Sequence, residues 1–215
     1  MKYLQQLCFM LALLSLTACS SMYYSGLEKM GIPKRDVMVH RVEKARDTQE
    51  ETKEQFKSAL AHFTSVTNFK GGDLEDMYNK LNDEYEASVD MAEEVKGRIA
   101  DIEDVSEALF DEWREEITQY SSPALKRSSQ QKLNSTTRHY KQLIASMKKA
   151  EAKIQPILVV FNDQVMYLKH NLNARAISAL KGELGTIKSD VSALIVSMEN
   201  SIDEANSFIN TMEKN

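Results

Sequence analysis

Residues 73–120 read DLEDMYNKLNDEYEASVDMAEEVKGRIADIEDVSEALFDEWREEITQY, and this stretch decides the fold. It holds no proline and a single glycine, so little in it interrupts a helix. Its apolar and small residues recur in alternate steps of three and four, which is heptad spacing. We call such a row of inward-facing positions a seam; here it comprises Tyr78, Leu81, Tyr85, Ser88, Ala92, Val95, Ile99, Ile102, Ser106, Leu109 and Trp113.

Comparable seams lie on both sides of this stretch, and together they predict helices at about 33–69, 73–120, 123–170 and 174–213. The first seam is Met38, Val42, Ala45, Gln49, Thr52, Phe56, Ala59, Phe63 and Val66. The third is Leu133, Thr136, Tyr140, Leu143, Met147, Ala150, Ile154, Ile157, Phe161, Gln164 and Leu168. The fourth is Leu180, Leu184, Ile187, Val191, Leu194, Met198, Ile202, Ala205, Phe208 and Met212.

Helix-breaking and capping residues separate the seams. Gly71 and Gly72 end the first helix, Asp73 caps the second, and Ser122 caps the third ahead of Pro123. Pro156 lies within the third seam and predicts a kink. Residues 171–173 (Asn-Leu-Asn) leave two alternatives, a turn or one continuous rod, and the asparagines favour the turn.

The whole chain of 215 residues has only seven glycines and three prolines, so its elements must be long. Four helices of similar length joined by short turns predict an all-α fold over residues 33–215. The expected architecture is an elongated, antiparallel four-helix bundle or coiled coil with a left-handed supercoil. Its seams also allow homo-oligomerisation.

The N-terminus carries the features of an export signal. Lys2 precedes an apolar run, residues 7–16, that is too short to span a bilayer, and Leu16-Thr17-Ala18-Cys19 follows. This string resembles the lipobox of bacterial lipoproteins, which implies that residues 1–18 are removed and that Cys19 receives fatty acyl chains such as palmitate. The alternatives are an ordinary secretory signal with a chance cysteine, or an uncut anchor.

Residues 19–32 follow as the lipidated N-terminus and an expected extended tether. Tyr23 and Tyr24 can lie at the lipid–water interface or pack on the bundle, and the sequence leaves both open. By resemblance to enterobacterial sorting, Ser20 favours the outer membrane over the inner one. The expected location is the cell envelope, with the bundle facing the periplasm.

The second and third predicted helices carry opposite charge. Residues 73–120 hold 17 acidic and 4 basic residues, whereas residues 124–170 hold 9 basic and 2 acidic. A short turn joins the two helices, so we expect these charges to pair across them. The rival interpretation is an acidic surface that binds cations or a basic partner.

No motif in the chain indicates catalysis, a cofactor or a metal. Cys8 and Cys19 are the only cysteines, and the histidines His40, His62, His139 and His170 lie outside HExxH or Glu-x-x-His patterns. Residues 182–189 (GELGTIKS) lack the glycine that a phosphate loop needs before Lys-Ser. Cleavage before Cys19 leaves a net charge of −6, which disfavours nucleic-acid binding.

These observations favour a non-enzymatic scaffold that is held at a membrane by lipid on Cys19 and that meets another envelope protein or peptidoglycan. The alternative is a periplasmic bundle that binds a small ligand or a metal through inward polar groups. Its candidate residues are Gln49, Thr52, Ser88, Ser106, Thr136 and Gln164. Nothing in the sequence points to a third class, a hydrolase with dispersed catalytic residues.

Four strings resemble one uncharacterised family of proteobacterial lipoproteins, the domain of unknown function 2959. They are Met30–Asp36 (MGIPKRD), Phe69–Leu74 (FKGGDL), Ala108–Trp113 (ALFDEW) and Leu168–Ile177 (LKHNLNARAI). The resemblance covers most of the mature chain and implies no known activity, ligand or site. Labels borrowed from coiled-coil DNA-repair ATPases do not fit, because the phosphate loop is missing.

Overall fold

The computed structural model describes residues 18–69, 71 and 73–214, and all regular structure in that part of the chain is helical. The elements are α1 (Ala18–Lys29), α2 (Lys34–Thr67), α3 (Leu74–Gln119), α4 (Pro123–Glu151), α5 (Ile154–His170) and α6 (Ala174–Lys214). The predicted all-α helical bundle is therefore confirmed.

The long helices form a four-cornered bundle in which chain neighbours are also spatial neighbours. Helix α2 packs on α3 and α6, and the α4–α5 unit packs on the same two helices. Antiparallel order is visible in the side-chain contacts between α2 and α3, which pair Lys34 with Glu112 and His62 with Glu84. At 1.5 Å per residue, α3 alone is roughly 69 Å long.

The helix ends follow the predicted capping chemistry. Asp73 Oδ1 accepts hydrogen bonds from the backbone N–H groups of Glu75 (2.9 Å) and Asp76 (3.3 Å) at the start of α3. Ser122 Oγ accepts one from Leu125 N at 3.4 Å, and Pro123 begins α4. Gly71 in the α2–α3 turn has a φ of 137°, which a residue with a side chain rarely adopts.

Pro156 interrupts the third helix, as the sequence predicts. Helix α4 ends at Glu151 and α5 begins at Ile154. A proline has no N–H to donate to the carbonyl four residues earlier, and its ring clashes with that carbonyl. The affected carbonyl belongs to Ala152, so the break falls where this clash requires it.

A turn, not a continuous rod, separates α5 from α6. Asn173 Oδ1 accepts hydrogen bonds from Arg175 N (3.0 Å) and Ala176 N (3.2 Å), which caps the first turn of α6. Asn171 Nδ2 donates to the Tyr167 carbonyl at 3.0 Å. Both asparagines thus act through the local hydrogen bonds that favour this residue outside helix interiors.

The predicted seams form the core, except at one position of the fourth seam. Every residue of the first predicted seam is buried, and most of the other three are buried or partly buried. In α6, however, Ser201 occupies the core and the predicted Ile202 is partly exposed. The step from Leu194 to Met198 is four residues, so heptad alternation requires a step of three, which reaches Ser201.

The segment predicted as an extended tether contains a helix. Helix α1 covers residues 18–29 and packs on α2 and α3, and a turn with Gly31 at a φ of 83° leads from it to Pro33. The tether is therefore absent over this span. Residues 1–17, which include most of the predicted signal peptide, lie outside the described part of the chain.

Candidate functional site

Helix α1 carries the predicted lipidation site, because Cys19 is its second residue. Two sets of side-chain contacts hold the remainder of α1 against the bundle, and we call them together the N-terminal clasp: Tyr24 with Arg41 and Asp104, and Glu28 with Lys34 and Glu112. Among residues 18–69, 71 and 73–214, none of the helices combines the length and the apolar composition that a membrane span requires.

Tyr24 forms the buried half of the clasp. Its side chain is 0% exposed, and its hydroxyl donates a hydrogen bond to Asp104 on α3. The Arg41 guanidinium lies 5.4 Å from the centre of the tyrosine ring and 3.2 Å from the same Asp104 carboxylate. Burial, helped by the bond to Asp104, raises the pKa of Tyr24 well above its usual value, so the phenol stays neutral.

Lys34 forms the charged half of the clasp. Its ammonium pairs with Glu28 on α1 and lies 3.0 Å from Glu112 Oε1 on α3. Burial lowers the pKa of Lys34, but the hydrogen bonds to the two carboxylates outweigh it and leave that pKa raised. The lysine bond lowers the pKa of Glu28, whereas burial raises that of Glu112. The ammonium therefore ties α1 to α3.

The clasp resolves the alternatives for the two tyrosines. Tyr24 packs on the bundle, whereas Tyr23 is 54% exposed beside it, with the ring centroids 5.2 Å apart. Since α1 lies against α2 and α3, the clasp brings the backbone of Cys19 to that side of the bundle. A lipid on Cys19 would then join the bundle with little free chain between them.

Half of the six inward polar groups predicted as ligand candidates form hydrogen bonds within their own helix. The hydroxyls of Thr52, Ser88 and Ser106 donate to backbone carbonyls three or four residues earlier, at 2.7–2.8 Å. Gln164 is only partly buried. Thr136 Oγ1 is buried without a hydrogen-bond partner in the described chain, and this residue lines a cavity of about 170 Å³ beside Trp113.

Gln49 is the least satisfied of these groups. Its side chain is 1% exposed, and neither its amide nitrogen nor its amide oxygen has a partner within the described residues. Ser201 Oγ, which the sequence analysis missed, is also buried without a partner there. A buried amide that lacks hydrogen bonds costs free energy that an apolar side chain of similar size does not.

Replacing Gln49 with leucine should therefore stabilise the bundle, by about 1–3 kcal/mol. Urea unfolding followed by circular dichroism measures this. The matched control is Thr52→Val, one helical turn away, whose hydroxyl already donates to the Thr48 carbonyl at 2.7 Å. That control should not gain stability, and destabilisation by Gln49→Leu would show that the amide has a partner in solution.

The predicted pairing of the acidic and basic helices is only partly correct. Lys148 on α4 does pair with Glu103 on α3, at 2.6 Å. Other α3 carboxylates turn toward α2 instead: Glu94 accepts from Thr48 at 3.2 Å, and Glu84 accepts from Gln55 at 2.8 Å. The sequence shows which helices are charged but not which flank of α3 its acids occupy.

An open groove of about 1030 Å³ runs along the surface between α3 and α4. Glu103, Glu107 and Arg114 line its α3 side, and Arg138 and Lys141 line its α4 side. Phe110 and Tyr140 lie at its floor, where their rings meet edge to face with centroids 5.4 Å apart. Ser106 and Leu133 complete the floor. Amide side chains add hydrogen-bonding groups, and they belong to Gln130, Gln131 and Asn134. The sequence analysis did not anticipate this groove.

The histidines are scattered over the bundle. His62 Nδ1 lies 3.0 Å from Glu84 Oε1, His40 Nδ1 lies 3.9 Å from Glu43 Oε2, and His139 and His170 lie elsewhere along the third helix. Across residues 18–69, 71 and 73–214, no group of three or more histidine, cysteine or acidic residues could hold a metal ion.

Comparison with known proteins identifies a family for this chain. No curated protein matches this chain. One family model matches residues 23–212, a span that runs from the clasp on α1 to the last turn of α6 and so covers almost the whole bundle. The chain belongs to the family described as Protein of unknown function (DUF2959).

Proposed function

We propose that this protein is a non-enzymatic, lipid-anchored scaffold of the bacterial cell envelope. Cys19 is the anchor, and the bundle faces the periplasm from the outer membrane. The observation that carries the proposal is the lipobox-like string Leu16–Cys19, which leads directly into a helix that is clasped onto the bundle. The partner of such a scaffold is another envelope protein or peptidoglycan.

The clasp supports this function because it couples the anchor to a rigid body. Acyl chains on one cysteine hold a protein at a bilayer, since each buried methylene contributes about 0.8 kcal/mol. With Tyr24 buried and Lys34 bonded to α1 and α3, the chain between lipid and bundle has little freedom to reorient. The bundle would therefore keep a defined orientation relative to the membrane.

The test combines mass spectrometry with fractionation of cells that express the full chain. We expect a mature protein that begins at an acylated Cys19 and sediments with outer membranes. Cys19→Ala should abolish both acylation and membrane sedimentation. Cys8→Ala is the matched control, because it removes the other cysteine, within the predicted signal peptide, and should change neither result.

The two measurements can each contradict the proposal. Unmodified Cys19 in the mature protein would remove the anchor. Recovery of the wild-type protein in the cytosol would remove the envelope location, whatever the state of the cysteine. An intact, acylated protein in the inner membrane would leave the anchor in place and contradict only the outer-membrane assignment.

A further inference from the structure

A stripe of positive charge runs along the outer face of α4. Arg127, Arg138, Lys141, Lys148 and Lys149 are all exposed. At about 100° per residue these five side chains fall within an arc of about 100°, and they extend over roughly 33 Å of helix. We call these five residues the basic stripe.

The basic stripe stays largely unpaired although a strongly acidic helix lies beside it. Lys148 pairs with Glu103. In the part of the chain that the structure describes, the other four cations of the stripe have no carboxylate within 4 Å. Like charges three residues apart on one helix, such as Arg138 and Lys141, repel each other. The members of the stripe therefore do not stabilise one another.

The groove between α3 and α4 explains why the charges remain apart. Arg138 and Lys141 belong to both the stripe and the groove, and Glu107 faces them from the opposite wall. Between these walls lie the aromatic side chains of Phe110 and Tyr140. The groove thus offers cations for carboxylates, an anion for an amine, amide groups for a peptide backbone and apolar rings for aliphatic carbons.

We propose that this groove and the basic stripe bind the carboxylate- and amine-bearing stem peptides of peptidoglycan. The inference rests on the proposed function, which exposes the bundle to the periplasm. Arg138 and Lys141 bind the carboxylates, and Glu107 binds the amine. The other cations of the stripe contact neighbouring acidic groups of the polymer. The volume, about 1030 Å³, accommodates several peptide residues.

The position of the stripe favours the cell wall over the membrane that holds the lipid. Helix α1 lies against α2 and α3, whereas α4 packs on α3 and α6. The basic stripe is therefore on a different side of the bundle from the helix that bears Cys19. A basic surface on a different side from the anchor is accessible to a polymer in the periplasm while the lipid holds the bilayer.

The experiment measures binding of the purified, mature, full-length protein to peptidoglycan sacculi by co-sedimentation, over a range of salt concentrations. We expect wild-type binding that weakens with salt. Arg138→Gln/Lys141→Gln should weaken binding at least about tenfold, by removing two charge-assisted contacts. The control Lys44→Gln/Lys188→Gln removes two exposed charges on α2 and α6 and should bind as the wild type does.

Glu107→Gln separates a stem-peptide site from a general polyanion patch. If Glu107 binds an amine, this change weakens binding to sacculi; if the site only attracts anions, loss of the carboxylate strengthens it and overturns the proposal. Equal loss in the control variant also overturns it. So does equally tight, Arg138-dependent binding to vesicles of anionic phospholipid, or Arg138-dependent self-association without sacculi.

Failure of this inference and failure of the proposed function give different results. Acylation of Cys19 is read by mass spectrometry and does not depend on sacculi. Acylated protein that ignores sacculi would retain the envelope anchor and eliminate the stem-peptide site. Unacylated protein that binds sacculi through Arg138 and Lys141 would do the reverse.

Discussion

Replacing Phe161 with alanine should destabilise the bundle by about 3–5 kcal/mol. Phe161 on α5 is 2% exposed and crosses the bundle to α2, where its ring stacks on Phe56 (6.4 Å between centroids) and Phe63 (6.1 Å). Its removal loses the buried area of one ring, leaves a cavity and breaks two aromatic contacts. Urea unfolding monitored by far-ultraviolet circular dichroism measures the change in unfolding free energy.

Val159→Ala is the matched control for this prediction. Val159 lies two residues earlier on the same helix and is 50% exposed, so its truncation should change stability by less than about 0.5 kcal/mol. If Phe161→Ala costs no more than Val159→Ala, the third helix does not pack across the bundle on α2. The aromatic contacts of Phe161 with Phe56 and Phe63 in the centre of the bundle would then be wrong.

The helices and most of the core could be predicted from the sequence, because both depend on residue patterns within a single helix. Every residue of the heptad seam of α2, from Met38 to Val66, is buried, although Thr48, Lys53 and Thr67 are buried beside it. The kink before Pro156 and the cap at Asn173 follow from single-residue chemistry that operates within one helical turn. Such features need no knowledge of the neighbouring helix.

Helix α1 was missed because its stabilising contacts are distant in the sequence. Gly26 and the polar composition of residues 19–32 favour a tether. Two of its docking residues, Asp104 and Glu112, lie on α3, far along the chain, and Arg41 lies on α2. The available signal was the spacing of Tyr24, Leu27 and Glu28, which puts one aromatic, one aliphatic and one acidic side chain on one helical face.

The charge distribution and the groove were missed for a related reason. Counting charges identifies an acidic α3 and a basic α4, but pairing depends on which flank of each helix faces the other. The structure turns Glu84 and Glu94 toward α2 and leaves Arg138 and Lys141 across a groove from Glu107. The rotation of each helix about its own axis decides which flank faces which neighbour, and the packing of all the seams sets this rotation. A pattern along one helix does not reveal it.

Tyr24→Ala should release α1 from the bundle. The change removes a fully buried ring, the hydroxyl bond to Asp104 and the surface on which Arg41 lies. Truncation of a buried aromatic residue costs about 3–5 kcal/mol, and each 1.4 kcal/mol is about a factor of ten in an equilibrium. Amide hydrogen exchange within α1 should therefore accelerate at least about a hundredfold, while exchange in α2 to α6 changes little.

Tyr23→Ala provides the comparison, because Tyr23 is the adjacent residue and is mostly exposed. It should alter exchange in α1 by no more than about threefold. Equal acceleration by the two variants would mean that α1 is held by something other than the buried Tyr24 ring. Acceleration by Tyr24→Ala alone, with Cys19 still acylated, would show that a rigid anchor can be converted to a flexible one without loss of membrane attachment. Comparing that variant with the wild type would then reveal whether the scaffold needs its bundle held at a defined orientation.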